Sequence, residues 1–369
     1  MSTSNPTAGN TAKASVDDVV VDALNPSDSA CEQDPELTVP ERVRSVWMRT
    51  TGSAVVHRAL LGDPDAPRAG ALIRRRPHTA GAVITGAFGH ASDLSAVVEC
   101  LVTLERDAGN PLVKWEVLGG HEVDPGAYGF RRMVGARVSG DGTEPGIEGW
   151  VLDLVDWPRA ELAYYRQTTE FTCGGVAALL ALEASGVALL SDDSDENRLT
   201  ELRVWRSATN VPACDPLALA ATLERMRGDR QRVEVYLDVD DAVLLEHLSD
   251  PDDLAFRADL QRLAARELEQ AGVVRHRSRP TMAEIGEAVE GGAIALLLID
   301  LESLIDDPTP HWVVAASARE GVLLVDDPWV ETSIGETWVT THELPIAADE
   351  LEDIVRWGSG YRGVILLHS

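Results

Sequence analysis

Lysine is nearly missing from this sequence. Only Lys13 and Lys114 occur in 369 residues, so arginine carries almost all of the positive charge, and Lys and Arg together number 32 against 61 Asp and Glu. The formal charge of -29 disfavours binding to nucleic acid or to an anionic membrane. It keeps the surface soluble and draws a cationic peptide or another basic partner, although an acidic surface can also serve solubility alone. Cysteine is scarce too. The four residues at 31, 100, 173 and 214 show no Cys-x-x-Cys pairing, and no signal peptide precedes them. That excludes a disulfide framework and the close ligand pairs of structural zinc, and points to the cytoplasm. Long apolar runs are also lacking: an uncharged one such as Gly291 to Ile299 falls far short of the roughly 20 residues of a membrane span. What the chain has in quantity is ordinary core material. Hydrophobic residues make up 44% of it, enough for two or three domains of usual size.

Chemistry concentrates in the run Arg166-Gln167-Thr168-Thr169-Glu170-Phe171-Thr172-Cys173-Gly174-Gly175, which leads into the apolar segment Val176 to Ala184. The pattern predicts a cysteine at a helix start. There the unpaired N–H groups of the first turn and the positive end of the helix dipole favour the thiolate, the attacking species. Gln167, six residues upstream, can offer its side-chain amide beside the Cys173 N–H as a donor pair for a carbonyl oxygen turning anionic. A base and an orienting group are expected downstream. His311 opens a strand through Ser317, Arg319-Glu320-Gly321 reads as a tight turn, and Val322 to Val325 reads as the returning strand, closed by Asp326-Asp327-Pro328. An antiparallel hairpin of this length sets Asp327 beside His311 across sixteen residues of sequence. Asp326 competes for the same role; the spacing and the neighbouring Pro328 favour Asp327.

With these residues in place, the sequence resembles the papain-like cysteine peptidases that process bacteriocin precursors after a double-glycine leader. That family carries a glutamine six positions before the cysteine of a Cys-Gly pair, and a histidine sixteen positions before the aspartate of an Asp-Pro pair. Gln167, Cys173-Gly174, His311 and Asp327-Pro328 match in order. The resemblance covers roughly residues 155 to 369. It implies a Cys-His-Asp triad of Cys173, His311 and Asp327, with Gln167 in the oxyanion hole. The implied fold is α+β, a helix bearing the cysteine packed on an antiparallel sheet. With no apolar run of spanning length in the sequence, no attached exporter is expected, and double-glycine specificity is not expected to carry over. The longer segment between cysteine and histidine is similar to that of soluble stand-alone bacterial relatives, in the stretches Glu201 to Arg206, Cys214 to Ala220 and Pro310-His311-Trp312.

The chain is expected to divide into a polar, disordered tail over residues 1 to 40, in which Val19 to Leu24 could pair locally, a mixed α/β module over 41 to 150, and the peptidase-like unit over 151 to 369. Strands are expected at Val43–Arg49, Ser53–Leu60, Gly70–Arg76, Ala80–Ala87 and Leu112–Leu118, with a helix capped by Ser92 or Asp93 running to Gly109-Asn110. Gly126 to Phe130 gives this module a faint similarity to GNAT acetyltransferases, whose short helix leads into a final strand. The glycine-rich loop that would hold the pyrophosphate of acetyl-CoA is absent between Ala87 and Leu94, so a degenerate binding or scaffold piece is expected rather than an active transferase. Farther on, Trp150 to Leu154 and Val233 to Leu237 read as strands. Helices are expected behind Asp215-Pro216, through 239 to 272, and at Met282–Val289, with a strand at Ala293–Ile299.

Each site residue has a plainer reading. A lone Cys173 is a small buried residue, His311 a core histidine, and Gln167 a polar loop residue. Cys214 reads as structural, and a zinc site of Cys173, Cys214 and His311 lacks the usual spacing. His57, His90 and His342 have no partner pattern and read as surface or core. Taken together the pattern predicts acyl transfer from an amide to Cys173 on a peptide or protein substrate, with no cofactor. Water resolving the acyl-enzyme gives a peptidase, an amine gives a ligase or transamidase, and a relic that only binds peptide is the non-catalytic alternative.

Overall fold

A computed structural model of the chain describes residues 14–24, 37–52, 54–63, 65–118, 123–139, 146–157, 162–208 and 213–368. Two sheets organise it, each with seven strands. The first is built from β1 (Val19–Leu24), β2 (Val55–Asp63), β3 (Ala66–Arg75), β4 (Gly81–Gly89), β5 (Leu112–Leu118), β6 (Arg131–Arg132) and β7 (Ile147–Asp153), in the order β1-β2-β3-β4-β5-β7-β6. Helices α1 (Glu41–Trp47) and α2 (Ala91–Asp107) complete it. Strands β4 and β5 pair in parallel because α2 crosses over between them. Leu94, Val97 and Leu101 of α2 pack on Ile73, Ile84 and Val113, while Val43 and Trp47 of α1 pack with Val56, Leu60 and Leu72.

The second sheet follows α3 (Cys173–Ala184), α4 (Ser194–Ala208) and α5 (Pro216–Met226). It comprises β8 (Arg232–Leu237), β9 (Val274–His276), β10 (Ile294–Asp300), β11 (Pro310–Arg319), β12 (Val322–Asp326), β13 (Leu344–Ala347) and β14 (Gly363–His368), in the order β13-β12-β11-β10-β14-β8-β9. Between and after these strands lie α6 (Pro251–Ala271), α7 (Met282–Glu290), α8 (Glu302–Ile305), α9 (Trp338–Thr341) and α10 (Ala348–Ile354). Leu296, Leu298, Trp312 and Val314 face a core shared with α3 and α5. Leu297, Val313, Ala315 and Leu366 face the opposite core, shared with α7 and α10. Strands β10 and β11 are therefore buried on both faces, which is why they read as near-continuous apolar runs.

Several expectations need correction. The segment expected as a strand at Val43–Arg49 is α1: Val43, Val46 and Trp47 stand at helical spacing, and tertiary burial of Val43 and Trp47 overrides the β-branched composition. The disordered tail does not hold for its described part. Val19–Leu24 pairs with β2 from Val19↔Leu61 to Leu24↔Val56, and Leu37 is buried; Cys31 lies outside the described residues. Helix α2 starts two or three residues earlier than expected, with His90 as its N-cap and no side-chain cap bond. The boundary between 150 and 151 falls inside β7, all of which pairs with the first sheet; Pro158 lies outside the described residues. Only Pro251–Ala271 of the 239 to 272 segment is helical, and Leu244 adopts φ +60° ahead of it. The second sheet is not wholly antiparallel either, since β8 and β9 run parallel.

The two sheets share a core of their own. Val83, Leu112 and Val151 pack with Leu324, Trp338 and Val339, and the backbones approach closely: a Cβ at Gly81 would lie 2.6 Å from Pro345, and one at Gly149 2.6 Å from Trp338. The buried Lys114 crosses the same boundary, its ammonium donating to the carbonyls of Thr340 at 3.2 Å and His342 at 2.5 Å. Among the described residues, no helix is long and apolar enough to cross a membrane.

Candidate active site

Helix α3 is apolar all round, with every residue from Cys173 to Leu182 buried, as a helix enclosed between a sheet and other helices must be. Its first residue is Cys173. Gly174 and Gly175 follow because nothing larger fits: a Cβ on Gly174 would stand 2.7 Å from the Cys214 Cβ, and one on Gly175 3.0 Å from Trp205. The loop before the helix is tied down by one buried carboxylate. Glu201 of α4 accepts from the Tyr165 hydroxyl, the Thr168 N–H and the Thr168 hydroxyl, each at 2.9 Å, and from the Thr172 hydroxyl at 2.5 Å. That network fixes where the chain carrying Gln167 enters the helix.

His311 is the second residue of β11, opposite Ile299 of β10. The returning β12 ends at Asp326, which pairs with Val314, and Asp327 follows it at the strand's mouth. His311 Nε2 and Asp327 Oδ1 are 2.7 Å apart, and both side chains are buried. With Nε2 so engaged, Nδ1 is the nitrogen left for the thiol, and a side-chain hydrogen bond joins His311 to Cys173. The remaining capacity of Asp327 is filled as well. Its Oδ1 accepts the Trp329 N–H at 2.8 Å, and its Oδ2 accepts Arg76 Nη1 at 2.5 Å. Its carbonyl accepts the Tyr164 hydroxyl at 2.8 Å, while its own N–H donates to Thr341 at 3.0 Å.

These contacts set the charges. Burial raises the pKa of Asp327, but His311 and then Arg76 outweigh it and hold the carboxyl down at about 2. Burial lowers that of His311; the Asp327 charge and the hydrogen bonds to Asp327 and Cys173 overcome it and push the imidazole up to about 10. Burial raises the Cys173 thiol, yet the His311 hydrogen bond and charge, with the N–H groups of Trp312 and Gly174, bring it below the ordinary thiol value. All three directions favour the charged forms: thiolate, imidazolium and carboxylate.

Gln167 lies against the same wall. Its backbone N–H donates to the Pro328 carbonyl at 3.0 Å, and its Nε2 donates to Thr169 at 2.7 Å. A carboxamide nitrogen carries two hydrogens, so one remains for another acceptor. Asp326 turns to the opposite side of its strand, pairs with His342 Nδ1, and accepts the Glu343 N–H at 2.9 Å. The arrangement thus brings His311 to Asp327 rather than to Asp326. His342 is a buried histidine with a carboxylate partner; its ring packs 5.4 Å from that of Tyr164. Cys214 is a buried thiol raised well above its ordinary value by burial and by the charges of Cys173 and Asp215, and among the described residues no group of side chains could hold a metal ion.

Two participants escaped the sequence reading. Glu201 was noted only as part of a similar stretch, and Arg76 was assigned to the end of a strand in the other module. The guanidinium of Arg76 also takes Glu336 in a fork, Nε to Oε1 at 2.6 Å and Nη2 to Oε2 at 2.5 Å. Its visible signal was the run Arg74-Arg75-Arg76 before Pro77, three cations on one strand end in a strongly acidic chain.

Residues 162–368, more than half of the chain, match the model of the Peptidase_C39 like family. The chain belongs to that family. The C39-like span contains Gln167, Cys173, His311 and Asp327, and Arg76 lies outside it. No curated protein matches. Among solved structures, a putative GNAT acetyltransferase from Desulfovibrio desulfuricans is 16% identical, covering 37% of this chain and 99% of its own, with a TM-score of 0.27. A GNAT acetyltransferase from Elizabethkingia anophelis with acetyl-CoA bound is 9% identical, with the same coverages and a TM-score of 0.26. TM-scores this low do not establish a shared fold.

Proposed function

We propose that this C39-like chain is a cysteine peptidase whose nucleophile is Cys173. The observation that carries the reading is the buried chain of contacts from the sulfur through His311 to Asp327. The Cys173 thiolate attacks a peptide carbonyl, its sulfur–carbon bond forms, and the carbonyl electrons move onto oxygen. The free N–H of the Gln167 carboxamide and the Cys173 backbone N–H receive that charge. Collapse of the intermediate breaks the carbon–nitrogen bond, and His311, already protonated on the side of the thiol, gives its proton to the leaving amine. Neutral His311 then takes a proton from water as it attacks the thioester, which releases the acid and restores the pair. Asp327 keeps the imidazole oriented and its charge compensated throughout. The charge of -29 favours basic peptides as substrates, with rates that fall as salt screens the attraction.

The test is digestion of a peptide library with products read by mass spectrometry. The wild-type chain is expected to cleave, and Cys173→Ala to give no products while keeping the wild-type circular dichroism. Cleavage by Cys173→Ala at the wild-type rate sinks the proposal.

A further inference from the structure

Arg76 follows directly on β3, in a turn where the Thr79 hydroxyl donates to the Arg76 carbonyl at 2.9 Å and the Ala80 N–H donates to Pro345 at 2.7 Å. The turn is thereby stitched to the C39-like span, and the arginine side chain is driven into it. Its guanidinium is 2% exposed and the carboxylates of Asp327 and Glu336 are 0% exposed. A planar fork reaches both at once: Nη1 to Asp327, and Nε with Nη2 to Glu336. A lysine ammonium lacks that geometry.

We propose that Arg76 is a positioning residue of the active site, supplied by the first module to lock the Asp327 carboxylate with one oxygen turned to His311. The inference rests on the peptidase reading above. A carboxylate rotates easily about its last bond, and the strand end alone does not stop it. Here Oδ1 is taken by His311 and the Trp329 N–H, and Oδ2 by Arg76, so any rotation short of the half-turn that exchanges the two equivalent oxygens breaks at least one of the three bonds. The guanidinium also offsets the burial that would otherwise favour a neutral carboxyl. Glu336 plays the complementary part. It orients the fork and balances its charge, so that the arginine does not bind Asp327 at the expense of the imidazolium. The first module is then part of the active site rather than an independent appendage.

The experiment follows the pH dependence of Cys173 alkylation by iodoacetamide and of peptide cleavage, using the full chain. Arg76→Gln alone leaves the buried Glu336 with only Arg74, 3.9 Å away, to offset its charge and threatens the fold, so it is paired with the double variant Arg76→Gln/Glu336→Gln and with Glu336→Gln. In the double variant Asp327 protonates at higher pH, His311 loses its anchor there, and the acid limb of both profiles is expected to rise by about one pH unit. Glu336→Gln retains Arg76 on Asp327 and is expected to move the limb by less than the double variant does. A folded double variant whose profile overlays the wild type overturns the proposal. So does an equal rise in Glu336→Gln, or failure of the double variant to fold, which would reduce Arg76 to a packing role. Alkylation needs no substrate, which separates the two readings. A Cys173 limb that moves as expected in a chain cleaving no peptide removes the peptidase and keeps Arg76. A wild-type Cys173 that titrates as an ordinary thiol removes the activated cysteine before the variants are compared.

Discussion

Among the described residues are two buried histidine–aspartate pairs, each spanning sixteen residues: His311 with Asp327, and His342 with Asp326. They share adjacent carboxylates at the end of β12, on opposite sides of one strand. Only the first meets a thiol. His342 instead packs between Tyr164 and Trp338, with ring centroids 5.4 and 6.1 Å away, and its carboxylate is occupied by the Glu343 N–H. A histidine oriented by a carboxylate is therefore not a site in itself. The helix start that delivers Cys173, the N–H groups aimed at its sulfur, and the loop held by Glu201 make the difference.

The sharpest way to break this comparison is to remove each imidazole in turn. His311→Ala is expected to lower kcat/KM by about 10⁴-fold or more, as loss of a base does in triads that act as a unit, while His342→Ala leaves kcat/KM of the folded enzyme within about twofold, well under the roughly tenfold that 1.4 kcal/mol represents. Steady-state cleavage of one library-derived peptide decides it, and equal losses in both variants would abolish the distinction. The second effect runs the other way. His342→Ala leaves Asp326 buried without its ring partner and is expected to cost about 3–5 kcal/mol of stability, read from urea unfolding. An unchanged midpoint would show the second pair to be idle.

A smaller catalytic effect belongs to Gln167. If its second amide hydrogen serves the oxyanion, Gln167→Ala is expected to lower kcat by about 10²–10³-fold with KM little changed. A loss confined to KM would place the residue in substrate binding and leave the developing charge to the Cys173 N–H alone.

Much of this was legible in the sequence because the relevant elements are local. His311, the turn at Glu320-Gly321 and Asp327 lie on one hairpin, which strand period and turn chemistry mark in the sequence, although the register shift between Ala315 and Ser317 has no such mark. The cysteine helix announced itself by an apolar run behind a Cys-Gly-Gly whose glycines are demanded by Cys214 and Trp205. What stayed hidden depends on the packing of distant segments. Arg76 is separated from Asp327 by 251 residues, and no period or motif links them. Val43–Arg49 reads as a strand by composition, and Glu41–Trp47 folds as a helix because Trp47 needs the pocket that Phe88 and Leu72 provide. β1 lay in a polar segment with little apolar periodicity, so only the edge of β2 explains its order.

The mildest test compares Cys173 with Cys100, whose thiol is pushed up by burial without a charged partner. For His311 the folded pKa of about 10 lies above its unfolded value near 6.5. Its stabilisation is thus complete below about pH 6.5 and is lost as the pH rises through about 10. For Cys173 the shift is downward, so the thiolate is already formed where Cys100 is still protonated. Between about pH 7 and 9 the alkylation of Cys173 is therefore expected to rise less steeply with pH than that of Cys100. The labelling ratio, followed by mass spectrometry of the two peptides, should be largest at the acid end of that window and shrink towards alkaline pH. A ratio independent of pH would mean that the two sulfurs titrate alike. The helix start, the imidazole and the N–H groups would then give Cys173 no thiolate that Cys100 lacks, and the contrast between the two histidine–aspartate pairs would reduce to packing.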